Sequence, residues 1–229
     1  MIRRIQFILV ASVVIFTACN QTSKETENWK TVYKNAYTNG DYLTGVVALN
    51  QLMVVDSANQ KEYIDSLALY YTKKLKNYKA GKLFVDKGLE LNPENITLME
   101  FKSIFLGAED KVEESKALME KAYKLSGKNK HKYLIAAMKL AIDNDVNAYV
   151  QSVNGILYGK YTPETIDVNI DENTSQNVDL KAYCYVEKAK MSATPAEAVK
   201  YLDSALMITP NFQEAIFYKN KFSEKPATK

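Results

Sequence analysis

The side chains able to do chemistry are few and scattered. The one histidine, His131, sits in the lysine-rich start of a helical stretch, GKNKHKY, residues 127–133. A metal centre or a histidine-activated nucleophile needs companions that this chain does not supply. Glu113 and Glu114 are adjacent, and adjacent helical residues point to different sides, so they do not form an acid/base pair. Cys184, in AYCYV, has no second thiol or imidazole to support it and reads as a small buried apolar side chain. Asp167, Asp171 and Glu172 carry calcium-type oxygens, but the glycine that a calcium loop needs for its sharp turn is missing. No glycine-rich phosphate loop occurs. These residues argue against an enzyme, a metal centre or a cofactor.

Composition narrows the partners. Arg3 and Arg4 are the only arginines, and without them 28 lysines face 27 acidic residues. Bidentate recognition of phosphate or guanine is arginine's speciality, so nucleic acid is not an expected partner. The same lack of arginine also fits coding bias in an AT-rich genome. At 229 residues and 47% hydrophobic, the chain can bury the core of one or two domains.

The amino terminus reads as an export device. Met1-Ile2-Arg3-Arg4 is basic, and Ile5 to Ala18 is apolar but shorter than the roughly 20 residues that span a bilayer. Residues 1–18 therefore read as a signal peptide. Thr17 and Ala18 before Cys19 resemble the lipobox of bacterial lipoproteins, whose cysteine is acylated and becomes the new terminus. Phe16 departs from the family's leucine. An ordinary signal peptide or an uncleaved anchor is the rival reading.

The lipobox resemblance implies a fatty-acylated Cys19 and a lipid anchor in the bacterial outer membrane, durable because such proteins carry more than one chain. Residues 19–26 then form a flexible tether. SKETE, residues 23–27, resembles the acidic export signals of surface lipoproteins of Bacteroidetes, although Thr26 separates its two acids. With Cys19 lipidated, Cys184 has no disulfide partner.

Past the tether the chain repeats itself. The stretches 39–57, 76–93, 110–126 and 193–210 each hold a turn, an apolar helix with small residues about seven apart, and a stop. The small positions pair as Gly45 with Leu52, Gly81 with Gly88, Ser115 with Ala122, Ala148 with Gly155, and Ala198 with Ala205. Their first members lie 36, 34, 33 and 50 residues apart. Helices cross closely only where a side chain is small, so one such pair per hairpin is what stacking requires.

The long last gap holds an insert at 160–178, polar and without helical period, which reads as a loop and as either a linker or a binding segment. Helices are expected at about 26–38, 42–56, 61–75, 78–91, 95–106, 110–125, 130–143, 145–158, 178–192, 195–208 and 212–222.

This pattern resembles the tetratricopeptide repeat, a 34-residue pair of antiparallel helices. Trp29 matches its fourth position, Asp41-Tyr42 the sixteenth and seventeenth, Gly45 the twentieth, and Pro93 and Pro210 the closing proline. Departures are Leu52 at a small position and large residues at the eighth. The resemblance implies an all-α, right-handed solenoid of about five helical hairpins over residues 27–222, a C-terminal capping helix, and a disordered tail at 223–229.

In that family the first helix of each pair lines a partner-binding groove. Carried over position by position, the groove residues are Lys30, Lys34, Tyr37, Tyr63, Tyr70, Lys73, Lys74, Glu100, Tyr133, Tyr183 and Glu187. Tyrosine offers stiff contact area with a polar tip and lysine attracts acidic segments, while packing between hairpins is the competing use of each tyrosine. The family's carboxylate clamp includes arginine, which is absent here.

The resemblance thus implies a membrane-anchored scaffold that docks proteins or peptides of the cell envelope. A surface lipoprotein that binds glycan or peptide nutrients is the alternative. Neither the partner nor the oligomeric state is written in these residues.

Overall fold

The structure is a computed structural model that describes residues 23–171 and 174–223, so Cys19, the signal peptide and the tail from 224 lie outside it. Eleven α-helices and one β-hairpin make up the described residues. They fall into two compact units, one ending at Lys111 and the other beginning at Val112.

The first unit holds α1 (23–38), α2 (Tyr42–Val55), α3 (Gln60–Leu69), α4 (Tyr78–Leu91) and α5 (Ile96–Ala108). A π-helical turn, Tyr70–Lys74, extends α3. Two cores fill this unit. Leu49, Leu52, Leu67 and Tyr70 pack under Trp29 and Tyr33 of α1, and Ala68, Val85, Leu98, Phe101 and Phe105 join α3, α4 and α5. Each such leucine, valine or phenylalanine taken from water contributes about 1.5–3 kcal/mol.

The second unit holds α6 (Val112–Ser126), α7 (Asn129–Asp143), α8 (Val146–Tyr158), β1 (Thr165–Asn169), β2 (Ser175–Asp179), α9 (Leu180–Lys190), α10 (Pro195–Ile208) and α11 (Gln213–Ser223). Tyr133, Val153, Ile156, Leu180 and Cys184 form a core of α7, α8 and α9. Val178, Val186, Leu202 and Phe212 form another beneath the hairpin.

Local chemistry sets the helix starts. A short side chain with an acceptor oxygen caps α2 (Asp41), α4 (Asn77), α5 (Asn95), α8 (Asp145), α9 (Asp179) and α10 (Thr194), each accepting an N–H from the first turn. Immediately before three of these caps the backbone turns left-handed, at Gly40 (φ 70°), Lys76 (φ 53°) and Asn144 (φ 53°). A left-handed residue followed by an Asx cap reverses the chain within a few residues, which closes a tight helical hairpin. Pro195 opens α10, where its missing N–H costs nothing.

The small positions do the work expected of them at most crossings. A Cβ on Gly45 would stand 2.8 Å from the Tyr70 ring, and one on Gly81 would meet the Thr72 hydroxyl at 2.5 Å. Gly88 has Leu98 and Asp65 pressed against it. Ser115, Ala122, Ala198 and Ala205 are buried. The pair Ala148 and Gly155 is different: a Cβ on Gly155 meets nothing within 4 Å, so no close crossing depends on it. There Ser152, Val153 and Ile156 turn inward instead.

Three boundaries differ from expectation. Helix α1 already runs from residue 23, so residues 23–26, the described part of the expected flexible tether, are helical. Ser223 closes α11 and does not begin a tail. The expected loop at 160–178 contains a β-hairpin, with Ile166 opposite Val178 and Val168 opposite Gln176. The reason is the alternation in Thr165-Ile166-Asp167-Val168-Asn169, which has the period of a strand and turns Ile166 and Val168 onto the core.

The hairpin is bonded to its neighbours at both ends. The Glu164 carboxylate accepts from the N–H of Asn129 and of Lys130, both at 2.9 Å, and so caps α7 from outside. Gln176 donates to the Asn211 carbonyl (2.8 Å) and accepts from the Gln213 N–H (3.0 Å), which caps α11. The Tyr161 hydroxyl donates to Asp179 at 3.0 Å.

Candidate functional site

Each unit carries one cluster of the groove candidates. In the first, Tyr70 stands at the centre of four phenols, with ring centroids 5.8 Å from Tyr33, 6.2 Å from Tyr37 and 5.9 Å from Tyr42. Its ring is only 1% exposed, and the space it fills exists because Gly45 has no side chain. Burial first, and then the neighbouring Tyr33 hydroxyl, hold the Tyr70 phenol protonated well above the usual range. Rings in tilted and edge-on contact form a stiff floor.

Around this floor the charged candidates stay at the surface. Tyr37 is 54% exposed, and Lys34, three residues earlier on α1, is exposed too. Lys74 lies 5.3 Å above the Tyr42 ring, and Lys73 lies 5.8 Å from the Phe101 ring. Lys30 pairs with Glu27 at 3.4 Å and reaches Asp56 at 3.9 Å. Tyr63 is buried and donates to Asp56 at 2.6 Å, the contact that does most to hold that carboxyl below its ordinary range. Glu100 on α5 is half-buried.

The second unit brings three candidates together. Tyr133 of α7 packs edge-on to Tyr183 of α9 at 5.6 Å, and its hydroxyl lies 3.1 Å from that of Tyr149 on α8. Tyr149 donates in turn to Glu187 of α9. Lys190 joins Glu187 (2.8 Å) to Glu214 of α11 (2.7 Å) and lies 5.1 Å from the Tyr218 ring. A polar chain thus crosses four helices, through Tyr149, Lys190 and Glu214, which the sequence reading missed.

Tyr149 escaped because it sits on a second helix, outside the groove positions. Lys190 and Glu214 were legible only as ordinary surface charges.

The buried phenols of this cluster keep their protons, and its lysine keeps its charge. Burial, then the Glu187 charge, pushes the Tyr183 phenol up to about 12. Burial pushes Tyr133 and Tyr149 higher still, and it raises the Cys184 thiol too. Burial works against the charge on Lys190, but its bonds to Glu187 and Glu214 outweigh that and keep it protonated. Among the described residues no group of three or more His, Cys, Asp or Glu is placed to hold a metal ion.

The groove candidates therefore divide. Tyr63, Tyr70 and Tyr133 are buried in packing, and Tyr183 is half-buried. Lys34, Tyr37, Lys73 and Lys74 face outward.

No family model matches this sequence, and no curated protein matches it. Solved structures do. A tetratricopeptide repeat protein from Parabacteroides merdae aligns over 87% of this chain and 72% of its own, with a TM-score of 0.60 at 12% identity. A thermophilic tetratricopeptide repeat protein of Thermus thermophilus aligns over 86% of this chain and 98% of its own, with a TM-score of 0.54 at 11% identity. Cut9–Hcn1, a hetero-tetramer of the APC/C, aligns over 91% of this chain and 41% of its own, with a TM-score of 0.57 at 12% identity. The chain has an all-α, tetratricopeptide-like fold.

Proposed function

We propose that the protein is a docking scaffold of the bacterial cell envelope, held at the outer membrane by a lipid on Cys19, and that partner proteins or peptides bind the lysine–tyrosine face of its first unit. The observation that carries this is the division within the groove candidates. Tyr70 is locked beneath three other phenols, while Tyr37, Lys34 and Lys74 remain exposed above it. A stiff aromatic floor with exposed aromatic and cationic groups loses little entropy when covered, which favours association. The fold suits this use, since the similar Cut9 structure is itself part of a hetero-tetramer. The lipobox at Cys19 supplies the reason for placing such a surface at a membrane.

Crosslinking in intact cells, with mass spectrometry of what is captured, tests the reading. The wild type is expected to recover one stoichiometric envelope complex, and the double variant Tyr37→Ala with Lys74→Glu to lose it. A protein recovered alone under every condition overturns the scaffold. Cys19→Ser is expected to release the protein from the membrane fraction, and retention of that variant overturns the anchor.

A further inference from the structure

The β-hairpin has an open side. Ile170 donates to Thr174 across its turn (2.9 Å) and Leu180 to Glu164 at its base (2.8 Å). Both bonds fall on the even-numbered residues that flank β1, Glu164 and Ile170. In an antiparallel ladder the bonded pairs alternate, so Ile166 and Val168 face β2 and the odd-numbered residues turn their N–H and C=O groups away from it. The sheet has only these two strands, and Thr165 and Asn169 bond to no backbone outside the hairpin among the described residues. Their side chains are exposed.

A cleft of about 420 Å3 opens between this strand and α11, lined by Val168, Asn169 and Ile170 on one side and by Phe212, Phe217 and Tyr218 on the other. Ile170 is 43% exposed and Phe217 62% exposed. The walls are preformed, because the two bonds of Gln176 pin the hairpin to the start of α11.

We propose that an extended segment of another protein adds to β1 as a third strand, with one apolar side chain in this cleft and a lysine or arginine beside Asp167. Main-chain bonds supply affinity in such an addition, and alternate side chains supply choice of partner.

The charge of the hairpin selects the occupant. Residues 161–180 contain Glu164, Asp167, Asp171, Glu172 and Asp179 and not one Lys or Arg, in a chain whose formal charge is +3. Glu164 and Asp179 serve as helix caps, while Asp167, which accepts from the Asn177 amide at 2.7 Å, and Asp171, which accepts from the Thr174 N–H at 2.8 Å, are exposed. A second copy of the chain pairing antiparallel about the middle of β1 would set Asp167 against Asp167, and like charges directly opposite repel. A strand alternating apolar and basic residues meets both the cleft and the carboxylates. This surface lies wholly in the second unit and does not depend on the lysine–tyrosine face of the first.

The test uses the full-length protein in detergent and the peptide Lys-Val-Lys-Val-Lys-Val-Lys, with Glu-Val-Glu-Val-Glu-Val-Glu as its counterpart. Titration calorimetry is expected to show binding of the basic peptide only, and hydrogen exchange to show new protection at the Thr165 and Asn169 amides. Asn169→Pro removes one outward N–H while sparing the ladder to β2, and Asp167→Lys reverses the central charge; each is expected to weaken binding by about fivefold or more. Thermal melts of both variants report whether the fold is kept, and Tyr37→Ala with Lys74→Glu is expected to bind the peptide as the wild type does.

No binding of the basic peptide, equal binding of the acidic one, or full affinity in a folded Asn169→Pro variant overturns the proposal. So does a dimer in sedimentation that Asn169→Pro abolishes, because the edge would then serve self-association.

Discussion

The ring of Tyr70 occupies the space that a side chain on Gly45 would need, since a Cβ there would stand 2.8 Å from the ring. The ring cannot retreat, being enclosed by Tyr33, Tyr37 and Tyr42. Gly45→Ala gains about 1 kcal/mol of helix propensity but meets an overpacking cost of about 1–3 kcal/mol. The expected outcome is a loss of about 1 kcal/mol for alanine and more for valine, read as a lower urea midpoint. A midpoint raised by alanine would show that the ring has room to move.

Lys76 should be the cheapest place to stabilise the first unit. It holds a left-handed backbone at φ 53°, directly before the Asn77 cap of α4. A side chain in that conformation costs about 1 kcal/mol relative to glycine. Lys76→Gly is expected to raise the unfolding free energy by about 0.5–1 kcal/mol in chemical denaturation, whereas Lys79→Gly, inside α4, is expected to lower it.

Glu164 reaches across 34 and 35 residues to cap α7 through two backbone N–H groups. A charged acceptor at a helix start is worth about 1–2 kcal/mol. Glu164→Ala is expected to lower stability by that amount, with the earliest gain in hydrogen exchange at Asn129 and Lys130. Glu164→Gln, which offers only one neutral acceptor oxygen, should fall between the two.

Asp65 gives the first unit an acid dependence. Burial raises its pKa above the ordinary 3.8, against the pull of Lys61 and of the Asn95 amide bonded to it at 2.9 Å. The folded chain therefore holds this proton more tightly than the unfolded chain does. Its stabilising contribution is complete below 3.8 and is lost as pH rises through the higher folded value. Compared with Asp65→Asn, the wild type is expected to gain stability on acidification within that window, measured as the difference in urea midpoint between the two proteins at each pH.

Much of the helical frame was legible because its signals are local. Asp41, Asn77, Asn95, Asp145 and Thr194 stand just before apolar periodic stretches, and small residues such as Gly81 and Ala122 mark the crossings. Gly155 carried the same mark without the same role, since a glycine does not say which face of its helix it lies on. The hairpin was missed because two five-residue strands rich in Asp and Asn look like loop composition, although their period of two was there to count.

Among the site residues, type and spacing pointed to Tyr37 and Tyr70 alike. Only the packing separates a phenol that faces outward from one enclosed by its neighbours, because that choice is made by helices distant in sequence. The bridge from Tyr149 through Glu187 and Lys190 to Glu214 spans 65 residues and leaves no local pattern.

The enclosed phenols also make the protein its own alkaline gauge. Tyr70, Tyr133 and Tyr149 keep their protons far above the ordinary value of 10.0, whereas the same rings in an opened chain would shed them there. Tyrosinate absorbs more strongly and at longer ultraviolet wavelength than the neutral phenol, so in strong base the part of that rise that comes after the exposed tyrosines have ionised counts opened molecules. With Tyr63, whose proton burial holds likewise, two such rings belong to the first unit and two to the second, and replacing either set with phenylalanine would let an ordinary spectrophotometer report which half gives way first.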